Sequence, residues 1–133
     1  MFVIALLVSA ITFSQSKVNV QYFQLGTWSD YKRTWIWEPL KATDVTITIG
    51  KTFISINNKS GTELSVISYE GNTKGRADDG SSYSNSRWYC SDDKGKRCYF
   101  SMTAYSDGIY TYSIMYDDVV FKYIYKTNAY LND

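Results

Sequence analysis

Carboxylates and thiols are the residues of this chain whose types and spacing could do chemistry. Acids stand in adjacent pairs at Asp78-Asp79, Asp92-Asp93 and Asp117-Asp118. Neighbouring carboxylates can hold Ca²⁺ or divide the acid and base work of glycoside hydrolysis. None of these pairs has the spacing of an EF-hand loop. Each falls in a turn or loop, where Asp is favoured because its side chain hydrogen-bonds the nearby backbone. They read as solvated turn residues. Cys90 and Cys98 are the only cysteines. Their spacing is wrong for a C-x-x-C oxidoreductase, and two thiols without His make a poor zinc site. The chain has no His at all, which removes the usual general base and the commonest metal ligand. No cofactor motif is present. The expectation is a non-catalytic protein without a cofactor or metal. An enzyme built on this chain would have to use Tyr, Lys or carboxylate near the polar segment 71–82.

The aromatic residues are the more distinctive group, at 17% of the chain with 13 Tyr and 4 Trp. Trp28, Tyr31, Trp35 and Trp37 cluster, with Lys32 and Arg33 among them. Trp35 and Trp37 flank Ile36, so in a strand they point to one side. Trp28, Arg33, Trp35 and Trp37 are the candidate partner-binding residues, for a protein or a glycan. Capping of a barrel end is the plainer role for the same side chains.

Turn residues set the elements that would position these groups. Hairpin register follows from the turn, and a one-residue slip turns every side chain to the other face. Gly50-Lys51 offers a two-residue turn that pairs Ile49 with Thr52, Ile47 with Ile54 and Val45 with Ile56. Lys59-Ser60-Gly61 offers a three-residue loop that pairs Ile56 with Leu64 and Ile54 with Val66. Asp93-Lys94-Gly95 repeats that loop and sets Cys90 opposite Cys98 and Trp88 opposite Phe100. Ser106-Asp107-Gly108 sets Phe100 against Ile114, Met102 against Tyr112 and Ala104 against Tyr110. Asp117-Asp118 sets Ile114 against Phe121, Tyr112 against Tyr123 and Tyr110 against Tyr125. Every register leaves one face apolar. Further strands are expected around Val18 to Gln24 and Arg33 to Glu38, and Gly71 to Ser82 reads as a long loop. The fold class is all-β: an antiparallel up-and-down meander of eight or nine strands, barrel-like because closure removes exposed edges, with a two-layer sandwich as the alternative.

Two site expectations follow. The hairpins form two blocks, Asp44 to Glu70 and Tyr83 to Lys126, and the inner face of the second carries Trp88, Phe100, Met102, Tyr110, Tyr112, Tyr123 and Tyr125. Buried phenols need partners, so this face is either a packed core with satisfied hydroxyls or a pocket for a small apolar or aromatic ligand. Cys90 and Cys98 are expected to form a disulfide worth roughly 2–3 kcal/mol in so short a loop, with free thiols as the alternative.

Residues 1–14 differ from the rest. Met1 to Phe13 is uncharged and apolar, too short to span a bilayer but suited to a signal-peptide core. Small residues at Thr12 and Ser14 place cleavage before Gln15, although no basic residue precedes the apolar run. Residues 15–133 are then expected to form one exported domain, periplasmic or extracellular, with no transmembrane span. The net charge of +1 gives no field for nucleic acid. Asn58-Lys59-Ser60 matches a glycosylation acceptor but sits where a hairpin loop wants Asn and Ser anyway.

Gly26-Thr27-Trp28 resembles the G-x-W motif near the first strand of lipocalins and related calycin barrels. That resemblance implies an up-and-down barrel holding a small apolar ligand. It also implies a cation from the last strand over that Trp, here Lys122 or Lys126 in place of the usual Arg. The segment Tyr22 to Trp37, the Trp88 to Cys98 hairpin and the Tyr-rich closing strand are similar to small exported β-domain proteins of Bacteroidetes-type bacteria with no assigned function. The function expected is binding: a small ligand in the Tyr-lined interior, or a partner on the Trp-rich edge.

Overall fold

A computed structural model describes residues 15–127; the expected leader lies outside them. The strands are β1 (Gln15–Ser29), β2 (Thr34–Trp37), β3 (Lys41–Gly50), β4 (Phe53–Ile56), β5 (Thr62–Arg76), β6 (Ser82–Ser91), β7 (Arg97–Tyr105), β8 (Ile109–Met115) and β9 (Val119–Lys126). Each pairs antiparallel with the next from β3 to β9, and β1 pairs with both β3 and β9. Eight strands therefore close into an up-and-down barrel, and β2 is attached to it as a ninth. Closure decides against the sandwich.

The long strand β1 makes closure possible. Its first part, from Gln15 to Phe23, lies on β3, and Gly26 to Ser29 lies on β2. Residues Tyr22 to Thr27 meanwhile hold β9 on the opposite edge. Pro39 separates β2 from β3, as expected where a residue without an N–H interrupts a ladder. A register irregularity between Val20 and Tyr22 lets Val20 and Phe23, three positions apart, both reach the interior. At that irregularity the Gln21 side chain acts as a strand partner. Its Oε1 accepts from Lys126 N at 2.9 Å and its Nε2 donates to Lys126 O at 3.3 Å. The side-chain amide extends the β1–β9 ladder one step beyond Tyr22.

One core fills the barrel. The aliphatic block supplies Ile47, Ile54, Ile56 and Leu64, and the aromatic block supplies Phe100, Tyr112, Ile114 and Tyr123. The last three hairpins take the expected registers residue for residue, from Cys90↔Cys98 to Tyr110↔Tyr125. Gly95 and Gly108 have φ of 82° and 91°, the left-handed conformation those loops require.

Three expectations are corrected. The first two hairpins slip by two positions: Ile49 pairs with Ile54 and Ile47 with Ile56, then Ile54 with Leu64 and Ile56 with Thr62. An even slip keeps every side chain on its expected face, so the core survives it. Gly50 is not the turn residue; Lys51 and Thr52 turn the chain. A Cβ on Gly50 would stand 2.9 Å from the Phe53 ring, so glycine is there to seat that ring. In the second loop Asn58 widens the turn, its Oδ1 accepting from Thr62 N at 3.2 Å.

The second correction concerns 71–82. This segment is mostly ladder: β5 runs to Arg76 and pairs with β6 down to Arg76↔Ser82. Its polar residues bond across strands, Asn72 Nδ2 donating to Ser84 Oγ at 2.9 Å and Ser86 Oγ at 2.8 Å. The third concerns the cysteines. Cys90 and Cys98 are cross-strand partners, as expected, yet both are free thiols and no disulfide joins them. Directly opposed Cβ atoms stand ~4.5–5.5 Å apart, wider than the ~3.8 Å typical of a disulfide. Burial also disfavours the thiolate that forms one. It pushes Cys90 up to about 12, with the neighbouring Cys98 adding to it, and raises Cys98 as well.

Candidate functional site

The tyrosines expected to line a pocket do share one face, and that face is packed. Phe100, Tyr112 and Tyr123 are core residues, with Trp88, Tyr110 and Tyr125 packed against them. The Tyr110 and Tyr125 rings meet at 5.9 Å, and Trp88 meets Phe100 at 5.7 Å. Burial pushes the Tyr112 phenol up to about 12, its neighbours Tyr110 and Tyr125 contributing less. Among the described residues no buried side-chain polar atom lacks a hydrogen-bond partner. Trp88 also reaches one end of the barrel, where with Tyr69, Ile49 and Gly50 it lines an apolar hollow of about 430 Å³.

The tryptophan cluster is different, because it lies outside the barrel. Gly26, Trp28, Trp35 and Trp37 occupy one face of the β1–β2 ladder through the pairs Gly26↔Trp37 and Trp28↔Trp35. Trp28 and Trp35 meet edge to face at 5.5 Å, and Trp35 and Trp37 are tilted at 6.4 Å. Trp28 is fixed by its indole, which donates to Asp30 Oδ1 at 3.0 Å. Trp37 lies flat over Gly26: a Cβ there would stand 2.6 Å from the ring. The Lys122 ammonium sits 4.2 Å from the centroid of the same ring. Burial lowers the Lys122 pKa. Trp28 is 37% and Trp37 40% exposed despite this packing. Tyr31, Ile36 and Leu40 are exposed nearby. Most of the large apolar side chains that the described residues leave in solvent thus fall between Trp28 and Leu40.

Three of the four candidate partner residues, the tryptophans, are therefore brought together. The fourth, Arg33, is in the β1–β2 turn with φ 53°, its N–H donating to Ser29 O at 2.7 Å. Gly26 and Lys122 complete the cluster; neither was a partner-binding candidate, and Lys122, expected from the lipocalin resemblance as a cation for Trp28, lies over Trp37 instead. A glycine inside a strand signals close approach of another group, which is the clue Gly26 offered. Lys126 lies over Tyr22 at 4.9 Å, so neither lysine sits on Trp28.

The backbone beside these rings has an open side. Glu38 N donates to Leu25 O at 2.8 Å, which makes Leu25 and Glu38 a hydrogen-bonded pair. By alternation Trp35 and Trp37 are then in non-hydrogen-bonded pairs, and their N–H and C=O groups point away from β1. Trp28, opposite Trp35, conforms: its N–H turns the other way and donates to Asp118 O at 2.9 Å. β2 ends the sheet order, and among the described residues no strand lies on its outer side.

Asp79 and Asp92, one acid from each of the first two pairs, serve their turns. Asp79 Oδ1 accepts from Ser81 Oγ at 2.6 Å and Ser81 N at 2.9 Å, and these bonds hold its pKa below the usual carboxylate value. Asp92 Oδ1 accepts from the backbone of Lys94 and Lys96 at 3.0 and 2.8 Å, and its Oδ2 from the Tyr116 phenol at 2.8 Å. Partial desolvation opposes these bonds, yet they keep Asp92 below the ordinary value.

Among the described residues no group of three or more His, Cys, Asp or Glu could hold a metal, and no helix is long and apolar enough to cross a membrane. Comparison with known proteins finds no matching family model, curated protein or solved structure.

Proposed function

We propose that this chain is an exported, non-catalytic binding module that takes an extended polypeptide segment onto the open edge of β2. The observation that carries this reading is the coincidence of two features at one place. Trp28 and Trp37 are exposed on one face of the β1–β2 ladder beside Trp35, and backbone groups of Trp35 and Trp37 that have no partner among the described residues stand along the outer edge of β2. Strand addition uses both: main-chain bonds supply affinity, and alternate side chains meeting the rings supply selectivity. An unprotected strand edge beside a cluster of tryptophans is costly to keep unless it is used. The edge is short, so the rings must supply much of the affinity.

The non-catalytic part rests on the chemistry of the residues present. The chain has no His. Its thiols are buried with raised pKa values, and Asp79 and Asp92 are engaged by their own turns. Export rests on the apolar run from Met1 to Phe13.

Panning a random peptide display library against the barrel tests the edge. Selected peptides should weaken at least about tenfold on Trp35→Ala and Trp37→Ala, as truncation of a central aromatic anchor does. Amide exchange at Trp35 and Trp37 should slow on binding, while Ile36, already bonded to β1, should change little. Peptides that bind both variants as they bind wild type would sink the reading. Unchanged exchange at the two tryptophan amides would remove strand addition from it.

A further inference from the structure

The barrel end formed by the β4–β5, β6–β7 and β8–β9 loops carries a hollow that the tryptophan edge does not use. It has two lobes, of about 280 Å³ and about 710 Å³. Both are lined by Asn58, Ser60, Phe121 and Tyr123, so they form one cup with the β4–β5 loop as its divider. Together they fall within the ~300–1,000 Å³ typical of small-molecule sites.

The floor is aromatic. Phe23 packs at 5.1 Å from Tyr123 and 6.4 Å from Phe121, and Tyr116 stands edge-on to Phe121 at 6.3 Å. The divider is braced from within. Asn58 Oδ1 accepts from Ser60 Oγ and Thr62 N, and its Nδ2 donates to Thr62 Oγ1 at 2.9 Å and to Tyr123 OH at 3.4 Å. Asn58 has no hydrogen-bonding capacity left to offer. Asp92, tied to Tyr116 and its own turn, braces the facing wall in the same way.

What remains available defines the ligand. Tyr123 accepts from Asn58, which leaves its own O–H proton to give at the seam between the lobes. Burial raises its pKa, so it is a neutral donor at ordinary pH. Around the rim, Asp44, Asn57 and Asp93 make no side-chain hydrogen bond with another described residue. They are acceptors, and Asn57 is a donor too. Asp44, Asp92 and Asp93 outnumber Lys59 and Lys94 along the lining, so an anion is not favoured. A wholly apolar ligand would strip water from the rim groups without replacing its bonds, at ~1–3 kcal/mol for each group. The complementary molecule has a flat C–H face for the rings and hydroxyls around its edge.

We propose that the larger lobe of the cup binds a pyranose unit, its C–H face on Phe121 and its hydroxyls on Tyr123, Asp44 and Asn57. The site is independent of the β2 edge and does not rest on that reading.

The test is an amide-resolved NMR titration of the chain with methyl β-D-glucopyranoside, methyl β-D-galactopyranoside and N-acetylglucosamine, with cyclohexanol as an apolar comparison. At least one sugar should give saturating shifts with a Kd on the order of 1 mM, mapped to residues 57–62 and 119–123. Tyr123→Phe keeps the ring and removes only the donor, and should weaken binding about fivefold. Asp44→Ala, on the exposed rim, should weaken it by a similar factor. Trp37→Ala should leave it unchanged. The proposal is overturned by any of three results: no saturation with all three sugars, shifts mapping to residues 28–37 instead, or cyclohexanol binding as tightly as the best sugar. Unaltered binding in both Tyr123→Phe and Asp44→Ala overturns it as well.

Discussion

Gly26→Ala is the substitution that asks most of the tryptophan edge. The new methyl carbon would stand 2.6, 2.8 and 2.9 Å from Cζ3, Cε3 and Cη2 of Trp37. Carbon atoms settle at ~3.5–4.0 Å, so the ring must lift by about 1 Å. The strand below it is part of a closed ladder, whereas the ring is half in solvent, so the ring moves. Lifting it weakens the contact with the Lys122 ammonium, about 0.5–1 kcal/mol for an exposed cation–π pair. It also disturbs the Trp35–Trp37 contact, about 0.5–1.5 kcal/mol. Removing glycine from the unfolded chain returns about 0.4–1 kcal/mol. The expected net destabilisation is therefore small, about 0–2 kcal/mol, while the binding face is rearranged. Urea denaturation followed by tryptophan emission measures both. The variant should keep its midpoint within that range, shift its native emission to the red, and lose affinity for edge-binding peptides at least about tenfold. Lys122 should also titrate closer to its ordinary value once the ring no longer covers it. A loss well beyond ~3 kcal/mol would refute the argument, because it would mean that the ring is a keystone of the fold rather than a movable surface. An unchanged emission spectrum would refute it from the other side.

Three further outcomes are expected. Cys90 and Cys98 should ignore a thiol reagent in the native protein and both react in denaturant, with an intact mass matching the fully reduced chain; rapid labelling of either native thiol would contradict their burial. Phe100→Ala, at a side chain with no exposure, should cost about 3–5 kcal/mol by chemical denaturation. Stability should fall on the alkaline side. The folded state holds the protons of Cys90 and Tyr112 up to about 12, against ordinary values of 9.0 and 10.0. Below those ordinary values both states are protonated and the contribution is whole. As pH climbs the unfolded chain releases protons first, and the contribution is lost toward pH about 12. Denaturant midpoints measured between pH 8 and 11 that stay level in wild type would contradict this.

How far the sequence could be read depended on what fixed each turn. Asp93-Lys94-Gly95 and Ser106-Asp107-Gly108 each place glycine where φ must be positive, so turn chemistry and register agreed. Gly50 carried the same letter for another reason, the seating of Phe53, and a turn rule cannot tell the two apart. Asn58 widened its loop through side-chain bonds to Thr62, which no count of loop residues records. The polar run Gly71 to Ser82 looked like loop because strands inside a core are rarely so polar; Asn72, Ser84 and Ser86 satisfy one another instead. Trp35 and Trp37 were legible from their alternation in one strand, and Trp28 from its closeness to them in the chain. Lys122, which completes the cluster, stands on the last strand, and only barrel closure brings it there. The cup was not legible for the same reason: Phe23, Asn58 and Tyr123 come from three distant parts of the chain. The cysteine pairing was correct in register and misleading in chemistry, since adjacency across a ladder is not the geometry of an S–S bond.

The seam between β1 and β9 has a kinetic consequence. Every other rung of the barrel joins strands that are neighbours in the chain, or nearly so, and hairpins of that kind form in ~1–10 μs. The seam joins segments about a hundred residues apart and must wait until the last strand exists. Loop-closure entropy makes such a step slow relative to the hairpins. The meander should therefore assemble first as an open, curled sheet, with the Gln21–Lys126 clasp among the last bonds to form. During that interval two long edges stand unpaired, and the chain is at its most vulnerable to joining a neighbour instead of itself. A circular permutant that makes β9 and β1 consecutive, opened at the loop after Arg76, would move the seam to the β5–β6 ladder, and the last amides to gain protection during refolding should move there with it.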